Sequence, residues 1–179
     1  ITGVKRDIAL VQWVSAEAPA QVNILDISLD KNRKEVDTLL AGGCSIFYVD
    51  HHFPGDNLPQ APEFKALIDT QPTTCTSLLV DQHLGGQFHN WAIVAAFGDN
   101  LNAVGEELAA RAGLSSEQAE SLKTLGVCIN YNGYGSTVDD LHFHPADLYR
   151  EFVEFADPLS LIASAPIAWQ QLRDGYEAD

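Results

Sequence analysis

The chain has 179 residues, 46% of them hydrophobic and 20% charged, the balance of a globular protein able to bury a core. With 25 acids against 10 bases the formal charge is −15 at pH 7, which argues against a grip on long duplex nucleic acid, whose affinity comes mainly from Lys and Arg on phosphates. No apolar run approaches the roughly 18–20 residues of a membrane-spanning helix, and no basic stretch followed by an apolar core marks a secretion signal. Cys44, Cys75 and Cys128 are far apart and odd in number, so they read as reduced thiols of a cytoplasmic protein rather than a disulfide frame.

Ile1-Thr2-Gly3 has the look of a strand's tail. Ile8, Val11 and Val14 follow Asp7 at helical spacing, with Pro19 as the stop. Val22 to Leu25 reads as a short strand ending on Asp26, and Asp30 to Leu40 as a helix with Val36, Leu39 and Leu40 as its apolar stripe and Gly42-Gly43 as its end. Cys44 to Val49, rich in β-branched and aromatic residues, reads as a buried central strand, and Asp50-His51-His52 follows at its tip. A loop with Pro54-Gly55 and Pro59 comes next, then a short strand over Phe64 to Ile68. The segment opening at Gln71-Pro72-Thr73-Thr74-Cys75-Thr76-Ser77 leads into a helix that runs to about His83.

Trp91 to Phe97 is apolar throughout, so periodicity does not distinguish a strand from a buried helix there. Beyond Asp99 the spacing becomes helical: Leu101, Val104 and Leu108 share a face, Ser115 with Gln118 makes a capping box, and Pro145 opens a helix carrying Leu148, Phe152 and Phe155. The tail from Asp157-Pro158 carries less pattern. Strand–helix–strand–helix–strand over the first seventy residues predicts an α/β fold, three-layer αβα with a mainly parallel sheet, followed by a helical C-terminal part. The expected organisation is one domain over 1–179, with the sheet in 1–100 and helices in 101–179.

Three acids stand just past apolar runs: Asp26, Asp50 and Asp99. If those runs reach one edge of a parallel sheet, their carboxylates gather with His51 and His52 where open α/β sheets bind ligands. Carboxylates crowded together repel unless a cation neutralises them, and carboxylate mixed with imidazole favours Mn²⁺, with Mg²⁺, Fe or Zn also compatible. Thr73, Thr74, Thr76 and Ser77 at a helix start suit either a phosphate on free N–H groups or ordinary capping. His142 and His144, two apart, would share a face of a strand, whereas His83 and His89 read as surface residues.

Asp50-His51-His52 resembles the defining motif of the DHH phosphoesterase family, which includes single-strand exonucleases, oligoribonucleases, cyclic-dinucleotide phosphodiesterases and family II pyrophosphatases. Asp26 in Ile24-Leu25-Asp26-Ile27-Ser28 matches the family's second acidic motif, and Asp99 in Phe97-Gly98-Asp99-Asn100 its fourth. The resemblance spans about residues 1–100. It implies that Asp26, His51 and Asp99 hold Mn²⁺, that His52 faces the substrate phosphate, and that Asp50 orients its neighbours. Thr74, Thr76 and Ser77 are the candidate substrate contacts.

The implied activity is metal-assisted hydrolysis of a phosphodiester or phosphoanhydride in a small molecule or short single-stranded nucleic acid, compatible with a homo-oligomer. The alternative is a non-catalytic α/β module that binds a nucleotide or partner beside a vestigial metal site. The family's first motif, an Asp-x-Asp run on its own strand, is not found. Together with the lack of Met and the opening on Ile1, this makes a chain that begins inside the domain the expectation.

Overall fold

The computed structural model describes residues 1–15 and 20–178; Pro19, the expected stop of the first helical segment, lies outside them. Among the described residues the strands are β1 (Gln21–Leu25), β2 (Ser45–Asp50) and β3 (Phe64–Ile68). The helices are α1 (Leu29–Ala41), α2 (Thr76–His83), α3 (His89–Gly98), α4 (Asn102–Arg111), α5 (Ser116–Tyr131), α6 (Pro145–Phe152), α7 (Pro158–Ser164) and α8 (Ile167–Ala178). This is an α/β fold with a parallel sheet and a helical C-terminal part. It divides into two compact units, Asp7–Val80 with Ile1, and Asp81–Asp179 with Thr2–Arg6. The boundary falls within α2, about twenty residues before residue 100, where the sequence pattern turns helical.

In the first unit the sheet runs β1-β2-β3 with both pairs parallel, in a register that sets Leu25 beside Val49 and Asp50 beside Ile68. Ile46, Tyr48, Val49 and Asp50 of β2 are buried, as expected of a central strand covered on both faces, which is why its sequence is a nearly continuous apolar run. Helix α1 turns Leu29, Asn32 and Val36 inward at the helical period and ends on Gly42. Gly43 then takes φ +84°, the left-handed turn that releases the chain into β2.

The segment Ile8–Val14 is not the α-helix its spacing predicts. Only Leu10–Trp13 form a 3-10 turn, with Val11 its one buried residue. Asn32, itself buried, holds that turn in place: its Nδ2 donates to the Ile8 carbonyl at 2.6 Å and to the Ser28 carbonyl at 2.9 Å, and its Oδ1 accepts from Val11 N–H at 3.3 Å. Tertiary hydrogen bonds, not a helical ladder, satisfy this backbone. Ile1–Gly3 are likewise coil, not the tail of a strand.

The second unit buries Ile93, Phe97, Leu122, Leu125, Leu161 and Leu172 in one helical core. The ambiguous run Trp91–Phe97 is helix α3, so Asp99 follows a helix and not a strand. Helices α3 and α5 touch backbone to backbone: a β-carbon on Gly126 would stand 2.2 Å from the Val94 carbonyl oxygen, and one on Gly98 would stand 2.9 Å from that of Gly126. The capping box forms as its sequence predicts, Gln118 N–H donating to Ser115 Oγ at 3.2 Å and Ser115 N–H to Gln118 Oε1 at 2.9 Å. Pro145 takes the first turn of α6 behind a His144 cap. The weakly patterned tail forms α7 and α8, the first capped by Asp157, whose Oδ1 accepts from Leu159 N–H at 3.1 Å.

Candidate metal centre

Because β1, β2 and β3 run parallel, their C-terminal ends share one edge, and the three loops leaving that edge carry the polar side chains. Asp26 leaves β1 in a left-handed conformation, φ +60°, with its N–H still bonded to the Val49 carbonyl at 3.0 Å. That conformation costs a non-glycine residue roughly 1–2 kcal/mol, less for Asp and Asn, whose short polar side chains bond locally. Strain of this kind clusters where geometry serves function. Beneath the loop, the Tyr48 hydroxyl donates to the Ile27 carbonyl. Burial first, and then the charge of Asp50, push the Tyr48 phenol well above its ordinary range, so it stays a donor.

Asp50, fully buried at the end of β2, organises the two histidines. Its Oδ1 accepts from His51 N–H at 2.9 Å and lies 2.7 Å from His52 Nδ1, while its Oδ2 has no hydrogen-bond partner among the described residues. A buried carboxylate on His52 Nδ1 makes that nitrogen the protonated one and leaves Nε2 as the ring's open position. His51 is tied in the same sense. Its Nδ1 lies 3.1 Å from the Thr74 carbonyl oxygen, an acceptor only, so Nδ1 carries the proton and Nε2 turns outward.

His51 Nε2 stands 3.5 Å from Asp26 Oδ1, and the two imidazoles meet edge to face with centroids 4.4 Å apart. The potential ligand atoms of Asp26, His51 and His52 all lie within 4.8 Å of one another. One carboxylate and two imidazoles at that spacing fit a divalent transition metal by the chemistry of the donor set. Oxygen and nitrogen lone pairs brought this close also need a cation or a proton to offset their repulsion.

Of the residues expected to act, Asp26, His51, His52, Asp50, Thr74, Thr76 and Ser77 all belong to the first unit. Here His52 stands among the potential ligands. Thr76, buried at the first position of α2, donates its hydroxyl to Asp26 Oδ1 at 2.6 Å, and Thr74 acts through its carbonyl. Ser77 is half-buried at the second position of α2. Asp99 belongs to the second unit, where it ends α3 with its N–H on the Ala95 carbonyl at 2.8 Å. There its charge opposes the lowering of the Tyr134 phenol, which arises first from the hydrogen bond to Lys5.

The basic start of α1 is committed to neighbours: Lys31 pairs with Asp30 at 3.0 Å and Arg33 with Asp37 at 3.0 Å. His144 accepts from Ala146 N–H as a helix cap, and His142 stacks on Tyr131. The pair His89–Asp81, 2.7 Å apart in the second unit, had no warning in sequence, because it spans the glycine turn between α2 and α3. Among the described residues all three cysteines are buried and none forms a disulfide, and burial pushes the Cys128 thiol up to about 11. No helix among the described residues is long and apolar enough to cross a membrane. Compared with known proteins, the chain matches no family model, no curated protein and no solved structure.

Proposed function

We propose that the chain is a metal-dependent phosphoesterase domain of the DHH type, acting on a phosphodiester or phosphoanhydride in a small molecule or short single strand. The observation that carries this reading is the group Asp26, His51 and His52, delivered by successive parallel strands to one sheet edge with ligand atoms within 4.8 Å. Mn²⁺ is the ion the reading favours, on a donor set equally open to Fe²⁺ and Zn²⁺. A divalent cation bound there supplies Lewis acidity, polarising a phosphoryl oxygen and acidifying water.

The chain's own contribution is preorganisation. Asp50 and the Thr74 carbonyl hold both rings as Nδ1–H tautomers, so that Nε2 is the nitrogen each ring would offer a metal. The buried Asp50 on His52 Nδ1 holds the exposed His52 ring in one orientation. The test is Mn²⁺-dependent hydrolysis of bis-p-nitrophenyl phosphate, with Mn²⁺ affinity measured by calorimetry. His51→Ala is expected to lose activity by more than about 100-fold, since even outer-shell partners of metal ligands cost roughly 10–100-fold. A fully active His51→Ala protein overturns the reading. Absence of Mn²⁺ binding favours a non-catalytic α/β module instead.

A further inference from the structure

The Asp26 side chain is 62% exposed, so packing does not fix its direction. An exposed carboxylate on a loop samples several rotamers. Asp26 is nonetheless aimed at His51, and the bond that aims it comes from fifty residues away. Thr76 is 6% exposed, locked in the first turn of α2, and its Oγ1 donates to Asp26 Oδ1 at 2.6 Å, the short distance of a charge-assisted hydrogen bond. Two residues earlier the Thr74 carbonyl fixes the His51 ring. One short segment thus sets the orientation of two of the three potential ligands.

We propose that Thr76 is a positioning residue for the metal centre: its buried hydroxyl holds the exposed Asp26 carboxylate in the direction that meets His51 and His52. The inference rests on the metal reading above and adds to it the group that preorganises the carboxylate. A threonine hydroxyl serves because it is a single donor on a stiff, β-branched side chain, so the carboxylate is held in one place.

The experiment is calorimetric titration of Mn²⁺ into the wild-type protein, Thr76→Val and Thr76→Ser, with thermal melting of each metal-free protein. Valine keeps the volume and removes the donor; serine keeps the donor. Thr76→Val is expected to weaken Mn²⁺ binding about tenfold or more, and Thr76→Ser to stay within about threefold of wild type. If Val and wild type bind alike, the positioning role is wrong while the metal reading stands. Equal weakening by Ser and Val also overturns it, since the lost feature would then be packing. A wild-type protein that binds no Mn²⁺ removes the metal reading itself, a result plainly different from either. Should Thr76→Val not fold, Thr76→Ala removes the same donor without adding an apolar group at the helix start, and the same comparison applies.

Discussion

The sheet edge of the first unit and the α3–α5 contact of the second use the same chain in opposite ways. At the sheet edge a non-glycine residue sits at φ +60°, a carboxylate is fully buried, and potential metal ligands face one another. At the helix contact glycines bring two backbones together and the surrounding side chains are aliphatic and aromatic. The first arrangement stores unfavourable local terms that a ligand can relieve. The second is close packing of one helix backbone on another. Variants at the two places should therefore separate stability from metal affinity.

The largest effect is expected at Gly126. A β-carbon there overlaps the Val94 carbonyl at 2.2 Å and approaches Gly98 N at 2.9 Å, so α3 and α5 must move apart. Overpacking of this kind costs about 3 kcal/mol, and the better helix propensity of alanine returns only about 1 kcal/mol of it. Gly126→Ala should then lower the melting temperature by roughly 4–8 °C. In the protein that remains folded, Mn²⁺ affinity should be unchanged. A melting temperature equal to wild type would mean that the helices are not in backbone contact.

The same contrast explains what could be read in the residues. The sheet edge was legible because its ingredients are local: an apolar run, a glycine turn before it, and polar residues at its tip, with the parallel arrangement doing the gathering. Helix α3 was not, because Ala92, Ile93, Val94, Ala96 and Phe97 are all buried, and a helix covered on every side loses the polar stripe that marks its period. Ile8–Val14 shows apolar spacing at the helical period, yet forms only a 3-10 turn, because Asn32 takes the Ile8 carbonyl and the Val11 N–H by tertiary hydrogen bonds that no spacing rule reveals. Asp157-Pro158 did carry a helix-start signal, a capping acid followed by proline at the first turn, but α7 is too short to show periodicity. Thr76 on Asp26 and His89 on Asp81 are pairings between elements, and no spacing rule reaches them.

A smaller effect sharpens the helical side. Ser115 and Gln118 exchange two hydrogen bonds at the start of α5, and Ser115→Ala removes the side-chain half of that exchange. The loss should be about 1 kcal/mol, seen in the denaturation midpoint, again with Mn²⁺ binding intact. A change below roughly 0.3 kcal/mol would mean that water replaces the cap without cost.

The smallest effect on stability, and the sharpest separation, is expected at Asp26. Asparagine tolerates the left-handed conformation as well as aspartate does, and its side-chain oxygen can still accept from Thr76. What Asp26→Asn removes is the charge beside His51. In metal-free protein the melting temperature should therefore move by no more than the equivalent of about 0.5 kcal/mol. With Mn²⁺ at a hundredfold excess over its dissociation constant, the wild-type protein should gain about 2.7 kcal/mol, and Asp26→Asn should gain almost none. If the metal-free variant instead melts as far below wild type as Gly126→Ala does, Asp26 belongs to the fold rather than to a binding site. The left-handed turn would then be a structural necessity, and the contrast between a strained edge and a packed core would lose its functional meaning.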